Sequence, residues 1–415
     1  MKIWKLKPRE ERRFRAGHPW VFSNELSESP KGTEPGEWIE LRTSSDEFLA
    51  YGFGNPASLI AFRKVTTKKI VFETAGDWVY VLNEAFDRRV TLGLSDSSFR
   101  WIFSEADGIP GLILDLYRRA DRPGVILSGQ IQSSGADKNT ELLANAILEC
   151  ATQRCPDQPL ILILRRDSSS RTRDGLERLD SVIREQGLKV KDLESFTARV
   201  GHDTIRANWL NGQKTGLFLD QTYNRERLLL SLPKAKSKLR ILDLFCYVGQ
   251  WSTRLAMHAK QNGIEADFVL VDSSDAALGF AEQNLKTITQ NAKTIKLDLL
   301  EKYAELQSHG SFDVVISDPP ALIKSRKHLN EGVHAYTEYH RRVMGSVAVG
   351  GILVVCSCSQ LLDREAFVGS VENAIVKNKM QFQWLDFGIQ TPDHPVISGF
   401  PESQYLKCAI LKRLK

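Results

Sequence analysis

Beyond residue 196 the chain alternates short β-branched runs with helical ones. Arg240–Phe245, Phe268–Val271, Thr294–Leu297, Val314–Ser317 and Ile352–Cys356 read as strands. Trp251–Gln261, Ala276–Thr287, Ala335–Val347 and Arg364–Lys377 read as helices. Apolar strands of this kind need cover on both faces. Helical returns between them supply it, and the result is a doubly wound, mainly parallel α/β sheet of Rossmann-like type. Such sheets bind ligands outside the carboxyl ends of their strands. The residues that end strands therefore carry the most information.

Two smaller parts precede this sheet. Residues 1–75 alternate short strands, such as Trp38-Ile39-Glu40-Leu41 and Phe48-Leu49-Ala50-Tyr51-Gly52-Phe53, with the turns Pro35-Gly36 and Gly54-Asn55-Pro56. They predict a small β-rich module. Residues 76–195 predict a mixed α/β domain, with helices over Val79–Thr91 and Glu141–Thr152 and strands at Phe99–Phe103, Leu112–Leu116 and Leu160–Leu164. Residues 196–415 make the third domain. The first residues, Met1-Lys2-Ile3-Trp4-Lys5, run into charges without an apolar leader, and no apolar run is long enough for a bilayer. A cytoplasmic protein with no membrane partner is expected. Six cysteines without a CxxC spacing argue against a disulfide framework and against a metal site.

The net charge of +5 is modest, but it is unevenly spread. Lys2, Lys5, Lys7, Arg9, Arg12, Arg13 and Arg15 crowd the first residues against Glu10 and Glu11, and Lys324, Arg326, Lys327 and His328 follow an Asp-Pro-Pro. Basic clusters beside a candidate site suit a phosphate backbone, although a solvated face has the same composition.

The strand ends carry a series of acids. In Ile241-Leu242-Asp243-Leu244-Phe245-Cys246-Tyr247-Val248-Gly249 a buried strand holds an acid, turns at one glycine and enters a helix. A dinucleotide pyrophosphate needs several glycines in such a turn. S-adenosylmethionine has no pyrophosphate, and one glycine lets backbone approach its methionine part. Asp243 suits the ligand's ammonium, Asp272 its ribose hydroxyls and Asp298 its adenine edge. Singly, each could equally be a structural acid or a helix N-cap. Asp318-Pro319-Pro320 ends the fourth strand, and its prolines make a stiff loop that can hold a carboxylate against a planar base. Ala321 follows where amino-group methylation usually places an aromatic ring.

The fifth strand runs Val354-Val355-Cys356-Ser357-Cys358-Ser359. Cys356, inside the strand, reads as a buried small hydrophobe. Cys358, between two serines at the strand end, suits a nucleophile. Cytosine C5 needs such help: a thiolate adding at C6 makes C5 nucleophilic enough to take a methyl group.

These residues resemble a known family, the class I methyltransferases with an N-terminal PUA domain, a central α/β domain and a C-terminal catalytic domain. Its characterised members methylate cytosine C5 in 23S rRNA (large subunit methyltransferase I type). Gly17-His18-Pro19-Trp20-Val21-Phe22-Ser23 is similar to the start of its PUA domain, and Asp107-Gly108-Ile109-Pro110-Gly111-Leu112 to its central domain. Gln213-Lys214-Thr215-Gly216-Leu217-Phe218-Leu219-Asp220-Gln221 is similar to the segment leading into the catalytic domain. Asp318-Pro319-Pro320 and Ser357-Cys358-Ser359 resemble two of its methyltransferase motifs. Asp393-His394-Pro395, Phe400-Pro401-Glu402 and Tyr405-Leu406-Lys407 resemble its C-terminal segment.

The resemblance implies Cys358 as nucleophile and Asp318 on the base. It implies a cofactor pocket from Gln213, Lys214, Asp220, Asp243, Phe245, Tyr247, Gly249, Asp272, Asp298, Asp318 and Pro319, with S-adenosylmethionine as cofactor and 23S rRNA as partner. Two departures stand out. The family's Tyr-Thr-Gly-Gly-Phe reads Tyr247-Val248-Gly249-Gln250-Trp251, and Leu322 stands where an aromatic commonly follows Asp-Pro-Pro-x. Ala321, where two-cysteine RNA C5 methyltransferases carry a second cysteine to release product, is an absence the family shares. Rival readings are an N-methyltransferase in which Asp318 positions an amine, and a non-catalytic RNA-binding assembly factor. Monomer and homodimer are both left open.

Overall fold

The computed structural model describes all residues except Lys234, Ala235 and Lys324, and at Gln307 the backbone alone. The chain forms two compact units. The first holds Met1–Arg199, Asn208–Leu219 and Pro392–Ser403; the second holds Val200–Ala207, Asp220–Thr391 and Gln404–Lys415. Among the described residues no helix is long and apolar enough to cross a membrane.

The first unit is built on two five-stranded sheets. One has the order β1-β3-β4-β5-β2, from β1 (Lys2–Lys5), β2 (Trp20–Phe22), β3 (Glu37–Arg42), β4 (Phe48–Gly54) and β5 (Ile60–Thr66). Its residues Ile39, Leu41, Ala50, Ala61 and Phe62 are buried in one small core. Ile39 and Leu41 alternate along β3 as a period of two requires, whereas Ala61 and Phe62 are adjacent and both enclosed. The other sheet has the order β10-β9-β8-β7-β6, from β6 (Phe99–Phe103), β7 (Leu112–Arg118), β8 (Val125–Ile131), β9 (Leu160–Arg166) and β10 (Leu179–Gln186).

The helices Ala75–Thr91 and Thr140–Arg154 cover this second sheet with Trp78, Leu82, Phe86, Leu143 and Ile147. The first helix begins at Ala75 rather than Val79 because Asp77 Oδ2 accepts from the Thr74 amide at 2.8 Å and caps it. The sequence names no strand at Leu179–Gln186, whose residues are exposed or half-buried and lack an apolar run.

A buried cation organises this unit. Arg89 is 1% exposed and grips the fully buried Asp107 with both nitrogens, each at 2.7 Å. Its remaining donors reach the Arg100 carbonyl at 2.7 Å and the Asp393 carbonyl at 2.6 Å. Asp393 also accepts from the Arg100 amide at 2.8 Å. Two motifs distant in sequence meet in the same way. Phe400 packs edge-on against His18 (5.4 Å) and Trp20 (4.9 Å), and Glu402 lies 3.1 Å from His18 Nε2. Asp107, Asp393, His18 and Phe400 are thus structural here. Gly111 has φ +78°, and a Cβ there would lie 2.2 Å from Ser133 Oγ, so only glycine fits.

A hairpin, β11 (Thr197–Val200) and β12 (Asp203–Arg206), carries the chain into the second unit. That unit is one seven-stranded sheet: β13 (Lys238–Leu244), β14 (Glu265–Asp272), β15 (Ala292–Lys296), β16 (Phe312–Ser317), β17 (Val347–Ser357), β18 (Phe382–Gly388) and β19 (Lys407–Arg413). Their order is β15-β14-β13-β16-β17-β19-β18, the first five parallel and β19 antiparallel to both its neighbours. This is the expected doubly wound sheet. The sequence reading places its first five strands and stops before the last two. The helix expected from Ala335 starts earlier, at Leu329, and ends at Met344.

We expect Arg89→Met to lower the unfolding free energy by about 1–3 kcal/mol, because Asp107 loses two buried charge-assisted hydrogen bonds and keeps only the half-exposed Arg88 as its cation. Chemical denaturation of the two proteins measures it.

Candidate active site

The strand order reverses between β13 and β16, which makes the switch point where ligands of such sheets bind. The register fixes what lies there. Ile295, Val271, Leu244, Ser317, Val355 and Ala409 form one continuous row across six strands. Phe245, Asp272, Asp318, Cys358 and Lys407 therefore all lie just past that row at one edge.

The turn after β13 is tight. Phe245 and Tyr247 adopt positive φ (58° and 49°), a conformation that costs a bulky residue energy and marks functional turns. Neighbours hold it: the Cys246 amide donates to Val271 O at 3.1 Å, and the Tyr247 amide to Asp272 Oδ2 at 2.9 Å. Gly249 (φ +75°) begins the helix Gln250–Gln261, and a Cβ there would lie 3.2 Å from both Ala281 and Leu270.

Asp243 is buried, and Ser252 donates to its Oδ2 through Oγ at 2.6 Å and through its amide at 3.2 Å. Its Oδ1 is buried with no hydrogen-bond partner. Burial pushes this carboxyl up to about 7, against the pull of Ser252. A buried oxygen lacking a donor, on a turn that leaves room only for glycine, fits a ligand ammonium. The donor set of this edge thus fits the methionine end of S-adenosylmethionine.

Other expected residues are placed differently. Asp272 is buried and spends its two oxygens on the turn, Oδ2 on the Tyr247 amide and Oδ1 on the Ser274 amide at 3.0 Å. Each oxygen keeps a second lone pair for a hydroxyl. Asp298 is exposed and caps the helix Leu299–Lys302, accepting from the Leu300 amide at 3.0 Å. That is the N-cap alternative to an adenine contact. A mostly apolar groove of about 480 Å3 is walled by Leu300, Pro320, Ala321, Leu322, Ala335 and Tyr339, with Glu338 and Arg342 also on its lining.

Asp220 is buried and takes the Tyr405 hydroxyl on Oδ2 at 2.5 Å. Gln213 and Lys214 are exposed and belong to the first unit, where the Lys214 ammonium stands 4.6 Å over the Phe218 ring. Of the basic residues, Arg326, Lys327 and His328 are exposed on a short turn, and Lys324 lies outside the described residues. In the first unit Lys2, Lys5, Arg13 and Arg15 are paired with Glu37, Asp46, Glu25 and Glu47.

Asp318 is half-buried, and Pro319 beside it is buried. Gln221 Nε2 donates to its Oδ2 at 3.0 Å, and the Trp251 indole points at the same oxygen at 3.4 Å. The Trp251 departure from the family pattern therefore adds a donor that phenylalanine lacks. Cys358 is half-exposed, whereas the other five cysteines are buried. Tyr336, on the helix Leu329–Met344, ties the two loops together. Its hydroxyl accepts from the Leu322 amide at 3.3 Å and from Ser357 Oγ at 2.9 Å. Burial raises its pKa, and the charges of Cys358 and Asp318 add to the rise. Sequence reasoning missed Tyr336, which carries no local signal, and passed over Gln221 and Lys407 although it quoted both.

The comparisons with known proteins agree with this geometry. Residues 5–67 match a PUA-like domain and residues 235–392 a methyltransferase domain. The ribosomal RNA large subunit methyltransferase I of Aliivibrio fischeri is 30% identical over 403 residues, covering 96% of this chain and 96% of its own. The protein of that name from Photobacterium profundum is 30% identical over 414 residues, covering 98% and 97%. The chain belongs to the ribosomal RNA large subunit methyltransferase I family. Its fold is also that of a protein from Streptococcus mutans assigned as a SAM-dependent methyltransferase, with a TM-score of 0.78 at 17% identity over 99% of this chain and 100% of that one. The expected order of a PUA-like domain before a Rossmann-like methyltransferase sheet holds for this family member.

The raised carboxyl at Asp243 has a stability consequence. Its folded pKa lies above its unfolded one, so its stabilising contribution is full below about pH 4 and is lost as the pH rises to about 7. Asp243→Asn removes that titration. The melting temperature of the variant relative to wild type, both without cofactor, is expected to climb between pH 4 and 7 and then level off. A difference independent of pH would place the Asp243 carboxyl in solvent-like surroundings.

Proposed function

We propose that this rRNA large subunit methyltransferase uses S-adenosylmethionine to methylate C5 of a cytosine in 23S rRNA, through a covalent bond between Cys358 Sγ and C6. The observation that carries the reading is that the Tyr336 hydroxyl ties the loop after Asp318, through the Leu322 amide, to the strand end before Cys358, through Ser357, at the switch point of the sheet. A nucleophile and a base-gripping carboxylate are what C5 chemistry needs, whereas amine methylation needs no thiol. Ala321, which offers no ring for stacking, weighs the same way.

The residues then divide the work. Asp243, Phe245, Tyr247, Gly249, Asp272 and Pro319 hold the cofactor, while Asp220 braces the edge through Tyr405. The roles of Gln213 and Lys214 rest on the resemblance alone, and that of Asp298 on its place after the third strand of the sequence reading. When bound, the cofactor supplies an electrophilic methyl on a sulfonium. Asp318, steadied by Gln221, holds the ring edge of the cytosine. Cys358 adds to C6 as a thiolate and leaves again when the C5 proton is lost. The base must leave its stack for Sγ to reach C6. The exposed Arg326 and Lys327 suit the flanking phosphates.

A 23S rRNA transcript and precursor ribosomal subunits, each incubated with the protein and methyl-labelled cofactor and then digested, test this. Label is expected in 5-methylcytidine. Label on a ring or exocyclic nitrogen would replace the reading with amine methylation. Cys358→Ala is expected to keep cofactor affinity by calorimetry and to lose transfer by on the order of 10⁴-fold; transfer that survives in this variant excludes the adduct.

A further inference from the structure

The thiol chemistry proposed above needs a thiolate, and an ordinary cysteine is mostly protonated at neutral pH. The candidate for changing this is a lysine that the cofactor and base contacts leave unused. Lys407 opens β19, and the antiparallel register sets it directly opposite Ser357, the residue before Cys358. Its side chain does not run out to solvent: the residue is 5% exposed. The ammonium is anchored on two carbonyls, donating to Ser359 O at 2.5 Å and to Tyr405 O at 2.7 Å. Ser357 and Ser359 bracket Cys358, so the cation is fastened to the turn that presents the sulfur.

We propose that Lys407 is the counter-ion of the Cys358 thiolate, a positioning residue that keeps the sulfur ionised and aimed out of the turn. The inference rests on reading Cys358 as the nucleophile. A buried ammonium held on neutral carbonyls calls for negative charge nearby, and Asp363 supplies only part of its surroundings. A neighbouring thiolate supplies the compensation. The interaction is mutual, because whatever favours the ammonium beside a thiolate favours the thiolate beside the ammonium by the same amount.

Asp363, at the N-terminus of the helix Arg364–Lys377, also acts on Lys407, and Cys358 and Asp318 both act on Tyr336. Burial brings Lys407 down to about 8, against the pull of Cys358 and Asp363, so it still carries its proton at neutral pH. Ionisation of the thiol sends its proton to solvent, and Lys407 keeps its own. When Sγ bonds to C6 the negative charge passes to the ring and is consumed as C5 takes the methyl group from the sulfonium. When a base then removes the C5 proton, the freed electron pair restores the C5–C6 double bond and Sγ leaves as a thiolate. The cation thus also favours departure of the sulfur at the end of the reaction.

The test needs neither RNA nor transfer. The full-length protein is alkylated with iodoacetamide from pH 5.5 to 10, and the Cys358 peptide is followed by mass spectrometry, with Cys358→Ala as the blank. In wild type we expect an inflection at least one unit below the ordinary thiol value of ~8.5. Lys407→Met and Lys407→Gln are expected to move it up by about one unit or more, slowing alkylation at pH 7 by roughly tenfold. Lys407→Arg is expected to restore it, which a merely structural lysine would not require.

A wild-type inflection at or above ~8.5 overturns the proposal whatever the variants do. An unmoved inflection in either neutral variant that retains its melting temperature overturns it too. The outcome is separable from the site of methylation. Label found on a nitrogen would sink the C5 reading and leave the alkylation profile unexplained, whereas label on C5 with an ordinary thiol titration would sink this inference alone.

Discussion

The active edge depends on the register of the seven-stranded sheet. Parallel strands place their carboxyl ends on one side only if every crossover returns the chain to the same starting edge. Here the row from Ile295 to Ala409 runs unbroken through six strands. A slip of one residue in β17 would turn Val355 to the opposite face and carry Cys358 with it. The core leaves little freedom for such a slip. Leu242, Leu244, Val315, Leu353 and Val355 fill one face of the sheet, and Ile241, Val314, Ile316, Ile352 and Val354 fill the other.

Upon that frame the site is assembled from polar groups that only the frame can hold. The Asp243 carboxyl is buried with an oxygen unmet by any donor, which a rigid strand end tolerates and a loop would relax away. Phe245 and Tyr247 keep left-handed backbone because Val271 O and Asp272 tie them down. Tyr336 joins the loop of Asp318 to the strand end of Cys358, and Gln221 and Trp251 steady the carboxylate from behind. Strain and desolvation of this kind lower stability where they occur and are sustained by well-packed surroundings.

The first unit uses buried charge differently. Arg89 and Asp107 are both out of solvent, and the cation donates to a carboxylate and to the carbonyls of Ala85, Arg100 and Asp393. Asp107-Gly108-Ile109-Pro110-Gly111 and Asp393-His394-Pro395 are distinctive in the sequence for that reason, not for chemistry. The pairing of His18 and Trp20 with Phe400 and Glu402 belongs to the same class. Distinctive residues therefore mark both the catalytic edge and the joints of the scaffold, and the sequence alone does not separate the two.

The sequence by itself determined the class of the fold, because periodicities of two and of about 3.6 residues report which faces must be buried. It also determined the candidate nucleophile and the acids that end strands, since Asp243, Asp318 and Cys358 stand where apolar runs stop. Only the tertiary structure decided what those residues touch. Gln221 reaches Asp318 across 97 residues of chain, Tyr336 reaches Ser357 across 21, and Lys407 reaches Ser359 across 48. No local pattern encodes a hydrogen bond made across a sheet. The same holds for Asp298, whose sequence context suits an adenine contact or a helix cap, and whose Oδ1 caps the helix Leu299–Lys302. Side-chain chemistry is local and legible, whereas partnership depends on how distant segments close upon one another.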